Sequence, residues 1–305
     1  MFQKRKTIVA IMLVVMLLIT GCGAKNLEEN LNNEIKDLGN IVLEKTPEAT
    51  VSSVGGEWAV IGLSQSGVKV DENYYNVYLD NVRAKVKSTK GKIDGNFTDS
   101  ARIILALTAI GKSPKNIEGY DLTKEIDNYG EAVDQGINGV AYGLIASNSC
   151  DTKLKNEEKY VDYLLNSQLK DGSFTFDEGG QSGQIDVTAM VIQALSYYKD
   201  RPEINKAINK ATKFLSGKQL KDGTMGSCEA TCQTIIGLRS IGINPFEEET
   251  FIKEKATLGN SLLEFKVKEG FAHKVGEEPS GMATEQSLLA MAALKKIEEK
   301  KGLYE

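Results

Sequence analysis

The sequence predicts an all-α protein, and more narrowly an (α/α)6 toroid: six inner helices in a closed ring, wrapped by six outer ones. Three observations carry this. Only five prolines interrupt 305 residues, and apolar positions recur at helical spacing along most of the chain. Six Ala/Ile/Leu-rich segments start roughly 40 to 53 residues apart, which is the period of a two-helix repeat array. Between them lie six polar segments that would bury one stripe and show the other face to water.

The N-terminus stands apart from that pattern. In MFQKRKTIVAIMLVVMLLITGC, Lys4, Arg5 and Lys6 form a positive start and Thr7 to Thr20 an apolar run of about 14 residues. A permanent membrane span needs about 20. The run ends in Ile19-Thr20-Gly21-Cys22, which resembles a bacterial lipobox. That resemblance implies cleavage before Cys22 and acylation of its thiol, and two or more acyl chains hold stably at about 0.8 kcal/mol per buried CH₂. The expected organisation is a signal peptide over 1–21, a polar tether over 22–32 and a toroid over 33–305. The membrane is then a partner through the anchor, and the folded part sits outside the cytoplasm.

The helices follow in outer–inner pairs. NEIKDLGNIVLEK (33–45) precedes GGEWAVIGLSQSG (55–67), and DENYYNVYLDNVRAKVKS (71–88) precedes FTDSARIILALTAIG (97–111). DLTKEIDNYGEAV (121–133) leads to INGVAYGLIASNS (137–149), and KNEEKYVDYLLNSQ (155–168) to QIDVTAMVIQALSYY (184–198). PEINKAINKATKFLSGKQ (202–219) pairs with CEATCQTIIGLRSIG (228–242), and GNSLLEFKVK (259–268) with GMATEQSLLAMAALKK (281–296). The first member of each pair is amphipathic: Ile204, Ile208, Ala211 and Leu215 share one face, with Lys and Asn between. The second member carries few charges and belongs inside. An open array needs polar capping repeats, and none is visible after the sixth pair. The ring therefore closes, with all inner N-termini at one mouth.

Composition narrows the function. The chain is 41% hydrophobic and 26% charged with net charge −5, and no basic stripe stands out in the sequence to neutralise phosphates, so no nucleic-acid partner is expected. Beyond Cys22 only Cys150, Cys228 and Cys232 remain, an odd number that suggests no disulfide framework.

Two turns carry a sharper signal. Gln168-Leu-Lys-Asp171-Gly172-Ser-Phe174 and Gln219-Leu-Lys-Asp222-Gly223-Thr-Met225 are near-copies, and Lys266-Val-Lys-Glu269-Gly270-Phe271 is a degraded, shorter third. Asp-Gly supports a tight turn with φ > 0, and the apolar residue pins the loop to the next helix. The pattern resembles the Q-x-x-D-G-G-F repeat of the squalene-cyclase and prenyltransferase superfamily. ARIILALTAIGKSPKNIEGYDL (101–122), QGINGVAYGLIA (135–146) and GMATEQSLLAMAAL (281–294) resemble bacterial surface proteins with a prenyltransferase-like toroid, distantly similar to the helical domain of vitamin B12 carriers. The resemblance covers roughly residues 50–298 and implies the same toroid.

The superfamily's chemistries are incompletely represented. A cyclase acid is the middle carboxyl of D-x-D-D-T-A, tuned by its neighbours; here the stretch reads Gln184-Ile185-Asp186-Val187-Thr188-Ala189, so Asp186 lacks its carboxylate companions. The chain has no Asp-Asp pair for a diphosphate-bound Mg²⁺, and Arg102 and Arg239 are too few for a diphosphate clamp. A Cys228/Cys232/His273 zinc site, with Glu229 as fourth ligand, competes with two thiols that simply pack. Glu57, Asp99, Asp186, Glu229 and Glu285 fall near inner-helix starts, where they could supply the carboxylate pair of a glycan hydrolase or merely answer the helix dipole.

The reading is therefore a lipid-anchored, non-catalytic toroid that binds a small molecule in its ring cavity or a surface partner, without cofactor or metal. A terpenoid- or prenyl-processing or glycan-active enzyme is the alternative. The candidate binding residues are Glu57, Trp58, Asp99, Arg102, Asn138, Tyr142, Asp186, Thr188, Glu229, Gln233 and Gln286.

Overall fold

The structure, a computed structural model, describes residues 26–93, 95–177, 179–299 and 302–304. The expected lipidation site Cys22 and the expected signal peptide over 1–21 lie outside them. No helix among the described residues is long and apolar enough to cross a membrane.

The double ring is present. Its inner helices are α2 (Trp58–Ser66), α4 (Phe97–Ala109), α7 (Gly136–Ser149), α9 (Ile185–Leu195), α11 (Cys228–Ser240) and α13 (Gly281–Lys295). Each packs on the next, and α13 packs on α2 to close the circle. The outer layer comprises α1 (Leu27–Lys45), α3 (Glu72–Ser88), the broken pair α5 (Thr123–Ile126) and α6 (Tyr129–Asp134), α8 (Glu157–Asn166), α10 (Pro202–Lys218) and the short α12 (Leu258–Ser261) with a 3₁₀ turn, Leu262–Phe265. Burial follows the expected division: α9 is buried continuously from Val187 to Leu195. By contrast, α10 buries only the stripe Ile204, Ala207, Ile208, Ala211, Phe214 and Leu215. Each large apolar side chain in that stripe contributes about 1.5–3 kcal/mol on leaving water.

Three boundaries differ from the sequence reading. Helix α1 begins at Leu27 rather than Asn33, because Asn26 caps it by accepting from Glu29 N and Asn260 Oδ1 takes the Leu27 N–H at 2.9 Å. The third outer helix breaks at Asp127–Asn128, where the Asn128 side chain starts a new helix by accepting from Glu131 N. The sixth is curtailed, and two small antiparallel hairpins flank it: β1 (Ile252–Lys253) with β2 (Ala256–Thr257), and β3 (Lys266–Val267) with β4 (Gly270–Phe271).

The turn repeats work as a lock with three copies. Gly172, Gly223 and Gly270 take φ of 91°, 85° and 128°, a region that favours glycine. The apolar residue that follows then lands on a threonine of the next inner helix. Phe174, Met225 and Phe271 donate their N–H to Thr188, Thr231 and Thr284 Oγ1, each at 3.0 Å. Those hydroxyls in turn donate to the carbonyls of Gln184, Ser227 and Ser280, at 2.6, 2.8 and 2.7 Å. Even the degraded third copy, now a hairpin, reaches its threonine.

Near the C-terminal ends of the inner helices, side chains tie the helices to one another and to the residues after α13. Lys296 Nζ donates to Gln65 Oε1 at 2.6 Å and to Leu303 O at 3.2 Å, and Leu303 is buried. Buried Arg239 donates to Ile243 O and Lys296 O at 3.0 and 3.3 Å. The opposite mouth, where the inner helices begin, holds a cavity.

Candidate binding site at the mouth of the ring

All six inner helices contribute their first turns to this mouth. Helix N-termini carry partial positive charge and unpaired N–H groups, so the local sequence supplies acceptors there: Asp99 in α4, Asp186 in α9, Glu229 in α11. The cavity measures about 340 Å³ and is lined by Trp58, Arg102, Asn138, Tyr142, Asp186, Glu229, Gln233 and Gln286. Ser53, Phe176, Val187, Met190 and Met282 complete it. Four helices donate residue pairs one turn apart: Asn138/Tyr142, Asp186/Met190, Glu229/Gln233 and Met282/Gln286. That spacing could have revealed Met190 and Met282 in advance. Nothing in the sequence marked Phe176, which is 46% exposed on a loop longer than its counterpart in the second turn repeat.

One wall is aromatic. Trp58 and Tyr142 rings lie 6.0 Å apart at 44°, and the Arg102 guanidinium carbon sits 5.9 Å from the Trp58 ring centroid. The opposite wall is an amide chain: Gln193 Nε2 donates to Gln233 Oε1 at 2.9 Å, and Gln233 Nε2 to Gln286 Oε1 at 3.3 Å. A second cavity of about 270 Å³, bordered by Tyr163, Thr175 and Asp177, shares Phe176 with the first.

Three predicted site residues stand elsewhere. Thr188 is fully buried in the turn lock, so its hydroxyl is committed to backbone. Glu57, 1% exposed, lies behind the wall: Tyr78 Oη donates to it at 3.3 Å and Arg102 Nε is 3.8 Å away. Burial pushes its pKa up to about 8 against the opposing pull of Arg102. Asp99 faces a neighbouring depression; it accepts from Asn96 N at 2.9 Å and pairs with Arg102. The Asp99 carboxylate therefore holds the guanidinium from one side and the Glu57 carboxyl packs against it from behind, while its edge reaches the cavity. Glu285 is also hidden: its Oε1 accepts from Gly55 N at 2.8 Å, its Oε2 is buried without a hydrogen-bond partner among the described residues, and burial pushes its pKa up to about 7.

The cysteines and the histidine do not converge. Cys228 Sγ lies 4.0 Å from Cys232 Sγ and 3.2 Å from Ser287 Oγ, in the seam between α11 and α13. His273 Nδ1 instead meets Glu229 Oε2 at 2.7 Å, with the imidazole half exposed. Among the described residues no three His, Cys, Asp or Glu side chains gather in a group that could hold a metal ion.

No protein-family model matches the chain, and no curated protein matches it. Among solved structures it is similar to an unsaturated glucuronyl hydrolase, UGL, in a variant holding dGlcA-Glc-Rha-Glc. The TM-score is 0.55 at 12% identity, over 90% of this chain and 98% of that one. At that identity the likeness shows the fold, an α/α toroid.

Proposed function

We propose that the mouth of the ring is a saccharide-binding site on an extracytoplasmic lipoprotein anchored through Cys22. The cavity lining carries this reading. An aromatic wall of Trp58 and Tyr142 faces Asn138, Gln233 and Gln286 amides and the Asp186 and Glu229 carboxylates across about 340 Å³. That is within the usual size range of small-molecule sites, about 300–1,000 Å³. Sugars present apolar C–H faces and rings of hydroxyls, which this mixture of stacking surface and paired donors and acceptors would match. An isoprenoid would leave most of those polar groups unpaired. The structural likeness to a toroid that holds an oligosaccharide supports the same class of ligand. The prenyltransferase-like family reading rests on the turn repeats and on the helical segments 101–122, 135–146 and 281–294, which account for the architecture rather than the ligand.

The second reading is glycan hydrolysis. Asp186 and Glu229 line one cavity from neighbouring inner helices, and Glu229 is hydrogen-bonded to His273. Two carboxyl groups across a glycosidic bond can protonate the leaving oxygen and activate water or attack directly.

A glycan array followed by calorimetry on its best hit tests both. Gln233→Ala is expected to weaken binding roughly 2- to 10-fold, the worth of one hydrogen bond. Absence of any glycan binding would remove the saccharide reading. If the hit is also cleaved, Asp186→Asn should stop cleavage while binding persists; unchanged cleavage in that variant rules the acid/base pair out. The anchor has its own test. Cys22→Ala should release the protein from the membrane fraction or leave an unprocessed precursor, and unchanged size with full membrane retention would refute acylation.

A further inference from the structure

On the outer wall, away from the mouth cavity, the first turn repeat docks against the following outer helix. Gln168 Nε2 donates to Ala207 O at 2.8 Å, and Gly172 lies so close to α10 that a Cβ there would meet Lys210 O at 2.6 Å. The turn and helix leave between them a groove of about 470 Å³ lined by Lys170, Asp171, Lys210, Lys213, Phe214 and Lys218. Four lysines thus border one concavity in a chain whose net charge is −5.

One carboxylate lies among them and offsets one of the four charges. Asp171 is engaged within the turn, where its Oδ1 accepts from Ser173 N at 3.1 Å and Ser173 Oγ at 2.5 Å, and the Ser173 hydroxyl and, in smaller part, the Lys218 ammonium hold its pKa below the usual carboxylate range. None of the four lysines forms a salt bridge among the described residues. The fold does not impose this, because the second turn repeat carries the equivalent lysine, Lys221, paired with Glu254 at 3.2 Å. Helix electrostatics explains Lys218, in the last turn of α10. It does not explain Lys170, which is on the turn, or Lys210, two turns from the helix end.

We propose that this groove binds a phosphate-bearing polyanion, with successive phosphates meeting Lys170 on the turn and Lys210, Lys213 and Lys218 on the helix. Lysine recognises phosphate as a compact point charge, and an anion there relieves the mutual repulsion of the four ammonium groups. The occupant is a chain rather than a bilayer. A flat lipid surface cannot enter a concave groove, and Phe214 is buried in its floor, with Lys218 Nζ 5.2 Å from its ring, rather than offered for insertion.

The test is a titration of the full chain, purified in detergent, with inorganic polyphosphate at low and at physiological salt. Binding should weaken with salt, as screened charge pairs do. Lys210→Gln/Lys213→Gln should weaken it by about tenfold or more, given what each lysine gains near a dense anionic surface, while Lys221→Gln should leave it unchanged. Lys170→Gln/Lys218→Gln should repeat the loss, so that poor folding of one double variant does not spoil the experiment. Wild-type affinity in both double variants would overturn the proposal, as would absence of polyphosphate binding at low salt. Orthophosphate binding as tightly as the polymer would reduce the groove to a single-anion site and overturn the polymer. Capture by phosphatidylglycerol vesicles that polyphosphate does not displace would make the surface a bilayer contact instead.

Discussion

Replacing Trp58 by Ala is expected to lower stability by about 3–5 kcal/mol, the range for large aromatics cut from a packed interior, and to abolish binding at the mouth. Both effects follow from one placement. Trp58 is 6% exposed, packed at the start of α2, yet it lines the mouth cavity beside Tyr142 and under Arg102. Wall and ligand platform are thus the same ring. Trp58→Phe separates the two roles, because it keeps most of the buried bulk but narrows the stacking surface and weakens the contact with the guanidinium. That variant should melt close to wild type while losing affinity. As the chain has a single tryptophan, its fluorescence reports the mouth directly, and a bound saccharide should change it. A Trp58→Ala protein that melts like wild type would show that the ring wall does not depend on this residue.

The second large effect is a pH dependence built into the carboxylates behind that wall. Burial raises Glu57 from 4.5 to about 8 and Glu285 from 4.5 to about 7. A carboxyl whose folded pKa exceeds its unfolded value binds its proton more tightly in the folded state. Its contribution is therefore complete below pH 4.5 and is lost as pH rises through about 7 for Glu285 and about 8 for Glu57. Each tenfold gain in proton affinity is worth about 1.4 kcal/mol, so between pH 6 and pH 9 the two carboxyls together lose on the order of a few kcal/mol of stabilisation. Glu57→Gln and Glu285→Gln mimic the protonated forms. Denaturant unfolding at pH 6 and pH 9 should show wild type losing more stability across that interval than either variant. Parallel losses in all three proteins would mean that neither carboxyl is held protonated by the fold.

Much of this architecture was legible in the residues. Alternation of apolar and amphipathic segments at a two-helix period leads to a closed ring, because helices that are apolar all round must be enclosed on every side. The two Asp-Gly turns predicted positive φ at Gly172 and Gly223, and both adopt it, as does Gly270 in the degraded third copy. Candidate residues one turn apart near the inner-helix starts were bound to share a mouth once the ring closed: Trp58, Arg102, Asn138, Tyr142, Asp186, Glu229, Gln233 and Gln286 all reach the cavity.

What a single helix cannot decide is the direction in which a polar side chain is satisfied, and there the tertiary structure decided. Thr188 and Asp186 are two residues apart in the first turns of α9, but one is locked onto the Phe174 backbone and the other faces the cavity. Glu57 and Trp58 are adjacent, yet the carboxylate turns toward Tyr78 and Arg102 while the indole forms the wall. Cys228 and Cys232 lie one turn apart as a zinc pair would, but α13 places Ser287 against them, and His273 turns to Glu229. The periodicity of the sequence determines which faces leave water, since burial depends on local amphipathicity. Partners of buried polar groups come from segments as far as 59 and even 230 residues away, and only packing the ring brings them within hydrogen-bonding distance.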